Sequence, residues 1–299
     1  MSDDLKIDLK KQRRKTIFWR VFAISILVFL IFIWTSDIFD SKNRDHIAKL
    51  SISGLIYEND QYNDPLALIK KNDNANALIL NINSPGGTAA ASEILFTKIR
   101  EIGEIKPVVA ICGTLCASGG YIVALASDYI IALNTSLTGS VGVIVQTPEI
   151  EGLLKKLGIS VNEIKSGKLK GEPSFFKSID IEVKKSLQDS VEKTNSWFLD
   201  LVAERRKIPV NNLRDISTGK VYNGVEALEK SLVDEIGYQT EAVEWLNNIA
   251  GISANTPIID YRMPQEAGLI SFILQRLGLK LNQNKNMIGL TGLLLQWQP

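Results

Sequence analysis

A chain of 299 residues, 45% hydrophobic and 22% charged, can bury a full core of roughly 200 to 250 residues as one large domain or two small ones. Its formal net charge of +1 forces no long basic face, so nothing in the charge balance argues for nucleic acid as a partner. Two cysteines, Cys112 and Cys116, and one histidine, His46, make a poor zinc site, which needs three or four ligands. The cysteines read instead as small residues of a buried segment.

The basic residues are unevenly placed. Lys6, Lys10, Lys11, Arg13, Arg14, Lys15 and Arg20 precede an apolar run from Val21 to Trp34, and Asp37, Asp40 and Asp45 follow it. Lys/Arg excess marks the cytoplasmic flank of a membrane span. Residues 1–16 therefore read as a cytoplasmic basic N-terminus, 17–34 as a single transmembrane anchor, 35–45 as a linker, and all that follows as extracytoplasmic, on the periplasmic side of the inner membrane. Counting back to Ile17, with Arg20 snorkelling, gives about eighteen residues or roughly 27 Å, just enough to span. A cleaved signal peptide shares the basic start and apolar stretch, but no small-residue A-x-A pattern follows Trp34.

The folded domain is expected over residues 46–262, opening with a strand from His46 to Tyr57. An apolar strand at 77–82, a break at Ser84-Pro85-Gly86-Gly87 and an amphipathic helix from about Thr88 to Ile102 form one unit. A second unit has a strand at 107–112, a loop to Ala117, a helix from Ser118 to Ser127 and a strand at 129–133. Strands alternating with helices predict a mostly parallel sheet buried on both faces, the α/β class. After Thr138-Gly139-Ser140 the pattern predicts another apolar strand, a helix near 149–157 and a strand to Ile164. A long helix follows over 180–206, with Val183, Leu187, Val191, Phe198 and Val202 apolar, stopping before Pro209. Shorter helices are expected at 224–230 and 239–250. The tail, 263–299, is too interrupted for a second span and reads as a segment that packs on an oligomer neighbour or, as the alternative, lies on the membrane.

Two glycine pairs carry the chemistry, each just after a buried strand: Ser84-Pro85-Gly86-Gly87 and Ala117-Ser118-Gly119-Gly120-Tyr121. Glycines at strand-to-helix turns let backbone N–H groups face a cleft, as an oxyanion requires. Ser118, opening the second helix, is the candidate nucleophile. A serine there is also a common helix cap, and a glycine pair a common tight turn, but their joint occurrence in successive units is more specific. A serine needs a base. His46 sits at the very start of the domain, so a Ser-His-Asp triad is improbable, and a lysine is the next candidate. Bringing a lysine from about 10.4 to about 7 costs roughly 4 to 5 kcal/mol, which demands a desolvated site with a hydroxyl neighbour.

The segments N-S-P-G-G at 83–87, A-S-G-G-Y at 117–121 followed by A-S-D, T-G-S-V-G-V at 138–143 and S-G-K-L-K at 166–170 resemble, in order and spacing, the signal peptide peptidase A family. G-K-V-Y-N-G at 219–224 and L-V-D-E-I-G at 232–237 extend the likeness to roughly residues 47–250. The resemblance implies a Clp protease/crotonase-like fold of repeated β-β-α units and a membrane-bound serine protease with a Ser/Lys dyad. Carried over residue by residue, it implies Ser118 as nucleophile, Lys170 as general base, Ser140 as the hydroxyl steadying the lysine, Gly86 and Gly87 as oxyanion donors, and Gly119 as a further amide. The pattern selects Lys170 over Lys165 and Lys168. It also implies remnant signal peptides or other apolar peptides as substrates, no cofactor and no metal, and a homo-oligomer in which Ser118 of one subunit meets Lys170 of the next. A protease that trims membrane proteins, a crotonase-like enzyme acting on a coenzyme A thioester, and a non-catalytic scaffold are the alternatives.

Overall fold

A computed structural model describes residues 15–28, 44–58, 60–209, 212–261 and 294–296. Its centre is an eight-stranded sheet built from β1 (His46–Ser53), β2 (Ala75–Ser84), β4 (Val108–Ala117), β5 (Tyr129–Ala132), β6 (Leu137–Gly139), β7 (Val221–Asn223), β8 (Glu235–Ile236) and β9 (Ile258–Asp260). The main path runs β7-β6-β4-β2-β1-β9, with β5 beside β4 and β8 beside β5. Every pairing in it is parallel except β6 with β7. A short strand β3 (Gly86–Thr88) stands apart and pairs antiparallel with β10 (Leu294–Gln296). The α/β class follows from the sequence as expected.

Strand periodicity divides the core into two layers. Leu78, Leu80, Ile82, Val108 and Ala110 face one side, under α2 (Ala89–Gly103), α3 (Gly119–Ala124) and the buried Phe198 and Val202 of α5 (Ile181–Arg206). Ala77, Ile79, Val109, Ile111 and Ile131 face the other, under Ala242 and Leu246 of α8 (Gln239–Ala250). A sheet apolar on both faces needs helices on both, and the chain supplies them by crossover.

Several expectations are corrected. The first strand stops at Ser53 rather than Tyr57, because Gly54 turns away with φ 73° and only Ile56 returns, to bridge Gly87. Residues 113–117, expected as a loop, continue β4. Cys112 lies opposite Ile82 and Cys116 opposite Ser84, so two extra residues bulge out on β4. The bulge lets its first half pair with β5 and its second with β6. The helix expected from Ser118 to Ser127 is the shorter α3. The strands expected after Ser140 and up to Ile164 do not form: Ile144 makes a lone bridge, and Ile159, Val161 and Ile164 stand exposed with no sheet edge to join. Helices α1 (Asn63–Lys71), with Pro65 in its first turn, and α6 (Leu213–Ile216), like strands β6 and β7, are additional. The helices α4 (Glu151–Lys156), α7 (Gly224–Glu229) and α8 match their expected positions.

Residues 15–28 are helical, and Ile17, Phe18, Trp19, Val21, Phe22 and Leu27 on them are exposed. Among the described residues no helix is long and apolar enough to cross a membrane. Residues 29–34 of the expected anchor, most of the 35–45 linker and all of the 263–299 tail but 294–296 lie outside the described residues.

Candidate active site

Parallel strands end together, and it is at this end of β4 that the chain turns sharply into α3. Ser118 occupies the turn with φ 54° and ψ −119°, a region a residue with a Cβ enters at a cost of about 1–3 kcal/mol. Its surroundings impose it: Ser118 N–H donates to Gly139 O at 2.8 Å, and Ser118 O accepts from Tyr121 and Ile122 N–H at 2.9 and 3.0 Å. Tyr121, itself buried, donates its hydroxyl to Leu232 O at 2.7 Å. Although Ser118 stands at the N-cap, its hydroxyl makes no cap hydrogen bond. The turn is a strand-to-helix elbow, the device that frees a nucleophile's side chain from its own backbone.

The two glycine motifs meet here. A Cβ on Gly119 would lie 2.3 Å from Ser92 Oγ, 3.1 Å from Gly87 N and 3.3 Å from Gly86 Cα. One on Gly87 would fall 1.8 Å from Ile56 O. Glycine is thus required at two successive close approaches, Gly119 against the Gly86-Gly87 turn and Gly87 against Ile56. Gly86, at φ 105°, is held by its N–H to Ser84 Oγ (3.0 Å) and its carbonyl to Ile56 N–H (2.8 Å). Gly119 and Gly120 are the first residues of α3, where N–H groups have no carbonyl within the helix to meet. Helix α3 has only six residues, so close amides rather than a long dipole are what it brings to Ser118.

Ser140 is placed by register. Ala117 pairs with Gly139, so the residues one step beyond, Ser118 and Ser140, leave neighbouring strands side by side. Both do so at positive φ, Ser140 at 49° with its N–H on Lys220 O at 2.9 Å. Ser118, Gly86, Gly87, Gly119 and Ser140 are therefore one assembly.

Lys170 lies elsewhere. It sits in an exposed turn, its N–H on Gly167 O at 3.1 Å, and among the described residues its side chain has no hydrogen bond or ion pair. Beneath it lies a staple. The Glu172 side chain, 3% exposed, receives Lys165 Nζ at 2.8 Å and Lys177 Nζ at 2.7 Å, and accepts Ser174 N–H at 3.0 Å. Lys165 also pairs with Glu163 at 2.7 Å. Hydrogen bonds from Lys165 and then Lys177 pull the Glu172 carboxyl down to about 2. In return Glu163 and Glu172 push Lys165 up, and Glu172 pushes Lys177 up. Lysines so held keep their protons and make poor bases. Lys168 lies 3.9 Å from Glu182. Of the lysines at 165, 168, 170 and 177, Lys170 is the one no carboxylate holds, among the described residues. The Glu172 staple was hidden in the sequence, because four charges within fifteen residues look like a solvated loop until their pairing is seen.

His46 is far from this chemistry. It pairs with Ala75 at the start of β2, while Ser84, opposite Cys116, ends that strand, which puts the histidine about 30 Å away along the sheet. Its Nδ1 donates to Arg44 O at 2.7 Å, and Nε2 then accepts from Tyr261 Oη at 2.9 Å. Cys112 and Cys116 are buried free thiols, burial pushing that of Cys116 up.

The sequence profile of Peptidase family S49 matches residues 100–253, just over half of the chain. A protein described as a protease from Methanocaldococcus jannaschii is 39% identical over 201 residues, 67% of this chain and 64% of the relative. Another, from Synechocystis, is 32% identical over 223 residues, 74% of this chain and 80% of the relative. A protein described as a signal peptide peptidase SppA from Enterococcus faecium is 31% identical over 237 residues, 75% of this chain and 69% of the relative. The chain thus spans a little under two thirds of the first of these and more of the other two. With the profile, two relatives matched over most of their length, and a strained serine set between two glycine turns, the chain belongs to peptidase family S49, a family of serine-type peptidases.

Proposed function

We propose that this chain is a membrane-anchored serine endopeptidase of the Clp protease/crotonase-like fold that cleaves apolar peptides, remnant signal peptides among them, at the extracytoplasmic face of the membrane. The observation that carries the reading is the Ser118 elbow, an uncapped hydroxyl on a strained turn packed against Gly87 N through Gly119. Ser118 Oγ attacks the scissile carbonyl carbon while Lys170 Nζ takes its proton; the oxyanion meets the amides of Gly87 and Gly119, the Gly86 N–H expected as a donor being held by Ser84 Oγ instead. Lys170 then gives the proton to the leaving amine, and a water, deprotonated by the same lysine, releases the acyl group.

An extended peptide has a ready edge, since β3 already takes Leu294–Gln296 in antiparallel register beside Gly86 and Gly87. The exposed apolar helix at 15–28 and the basic residues before it support an anchor with the N-terminus cytoplasmic. Leu153, Leu157, Ile159, Val161, Ile164 and Leu169, bare on the segment that carries Lys170, support its burial against another subunit, giving a homo-oligomer with a shared dyad.

Covalent labelling tests the class. A fluorophosphonate should modify Ser118, located by peptide mass spectrometry, and block peptide cleavage in proportion. Unmodified Ser118 in protein that cleaves peptides, or thioester turnover indifferent to the reagent, overturns the reading.

A further inference from the structure

Helix α5 turns one face toward Ser140. Gln188, Val191, Glu192 and Asn195, spaced i, i+3, i+4 and i+7, line a cleft of about 490 Å³ together with Ser140 and Val143. Asn195 Oδ1 is the one buried side-chain nitrogen or oxygen without a hydrogen-bond partner among the described residues. Such an orphan is costly enough to call for an explanation, and a donor that arrives from outside provides one. Glu192, the carboxylate of the cleft, already accepts from Gln188 Nε2 at 2.8 Å.

The same helix measures how far Lys170 of its own chain is from that cleft. Gly167, Lys168 and Leu169 line a pocket with Ile181, Glu182 and Val183, so the lysine turn packs at the start of α5. Asn195 lies thirteen residues beyond Glu182, about 20 Å along the axis, well past the reach of a four-carbon stem. Among the described residues, one chain therefore holds an unpaired amine at one end of α5 and an unpaired acceptor near the other, an arrangement that copies repeating head to tail would satisfy.

We propose that Asn195 is a positioning residue for the general base: its Oδ1 accepts one N–H of the Lys170 amine delivered by a neighbouring copy, in the cleft beside Ser140. This rests on the Ser118/Lys170 reading above. A neutral amine has two N–H bonds and one lone pair. With one N–H on Asn195 Oδ1 and the other on Ser140 Oγ, the lone pair is left for the Ser118 proton. When Oγ–H breaks, its proton becomes the third N–H, which later passes to the leaving nitrogen. An amide suits the task because it orients the amine without the charge that would trap it as an ammonium.

The test compares Asn195→Ala, Asn195→Asp and Lys170→Ala in the full-length assembled protein, with cleavage of a fluorogenic peptide followed across pH and assembly checked by light scattering. Asn195→Ala should lower kcat about tenfold or more with KM within about twofold. Asn195→Asp should move the acid limb of the kcat profile up by about one pH unit, with activity recovering at alkaline pH. Wild-type kcat in Asn195→Ala, a loss confined to KM, or an unmoved profile in Asn195→Asp would overturn the proposal, as would subunit dissociation that accounts for the whole loss. Full activity in Lys170→Ala would instead sink the underlying dyad. An inactive Lys170→Ala beside unaffected Asn195 variants would sink this proposal alone.

Discussion

The Ser118 floor and the Lys170 arm are built by opposite means. The floor is made of sheet ends: Ser118, Gly119 and Ser140 are fixed by the β4–β6 register, by backbone hydrogen bonds and by glycine contacts that tolerate no side chain. The arm, between Ile150 and Ile181, has only the short α4 as regular structure, exposes its apolar residues and is pinned by charges around Glu172. Strain can be stored where the surroundings over-determine the backbone, so the nucleophile belongs on the floor. The arm's bare apolar residues are what the proposed subunit contact would cover. On the proposed reading, the nucleophile is complete within a monomer while its base comes from a neighbour.

The largest effect expected is at the chemistry itself. Ser118→Ala and Lys170→Ala should each lower kcat by about 10⁴ or more, and equal losses would tie floor and arm into one unit. A fully active Lys170→Ala enzyme would cut the arm out of the mechanism. Next comes the floor's backbone: Gly87→Ala places a methyl group on Ile56 O and should lower kcat by about 10², with the melting temperature falling as well. Unchanged kinetics would mean that this approach of the chain does not shape the oxyanion site.

The arm should respond to pH where the floor does not. The Glu172 carboxyl is held at about 2, below its ordinary 4.5, so its staple is fully present above the higher value and is lost as pH falls toward the lower. Hydrogen exchange in residues 163–177 should therefore rise between about pH 4.5 and 2 while β4 stays protected, and Glu172→Gln should show the loosened arm already at neutral pH. Equal exchange in wild type and variant would remove the staple from the account. The smallest effect is at His46: its replacement by Ala removes the acceptor of the Tyr261 Oη proton while the bond from Asn72 Nδ2 remains, and should cost about 1 kcal/mol, with kcat per folded molecule unchanged.

How legible these regions were in the sequence differs in the same way. Most of the floor was readable because its requirements are local: buried strands, glycines where a backbone must turn or approach closely, and a serine between them; Ser140 came only with the family resemblance. The continuation of β4 past Cys112 was missed, since a two-residue bulge leaves no mark in an apolar run. In the arm the apolar residues at 159–164 looked like a strand, yet no edge receives them, and the bare pattern cannot tell a sheet partner from a subunit partner. Asn195 had no signal at all. Its meaning comes from the cleft it faces and from an oxygen left without a donor, neither of which is a property of sequence spacing.

The central claim is that the floor of one subunit works with the arm of another, and mixing two dead proteins tests it most directly. Ser118→Ala subunits keep a working arm and Lys170→Ala subunits keep a working floor. Co-assembled at equal amounts under exchange conditions, they should regain activity at up to about one quarter of the sites, by random placement around a closed assembly. Mixed oligomers that demonstrably form and yet remain as inactive as either parent would show that Ser118 and Lys170 meet within a single chain, contradicting the account.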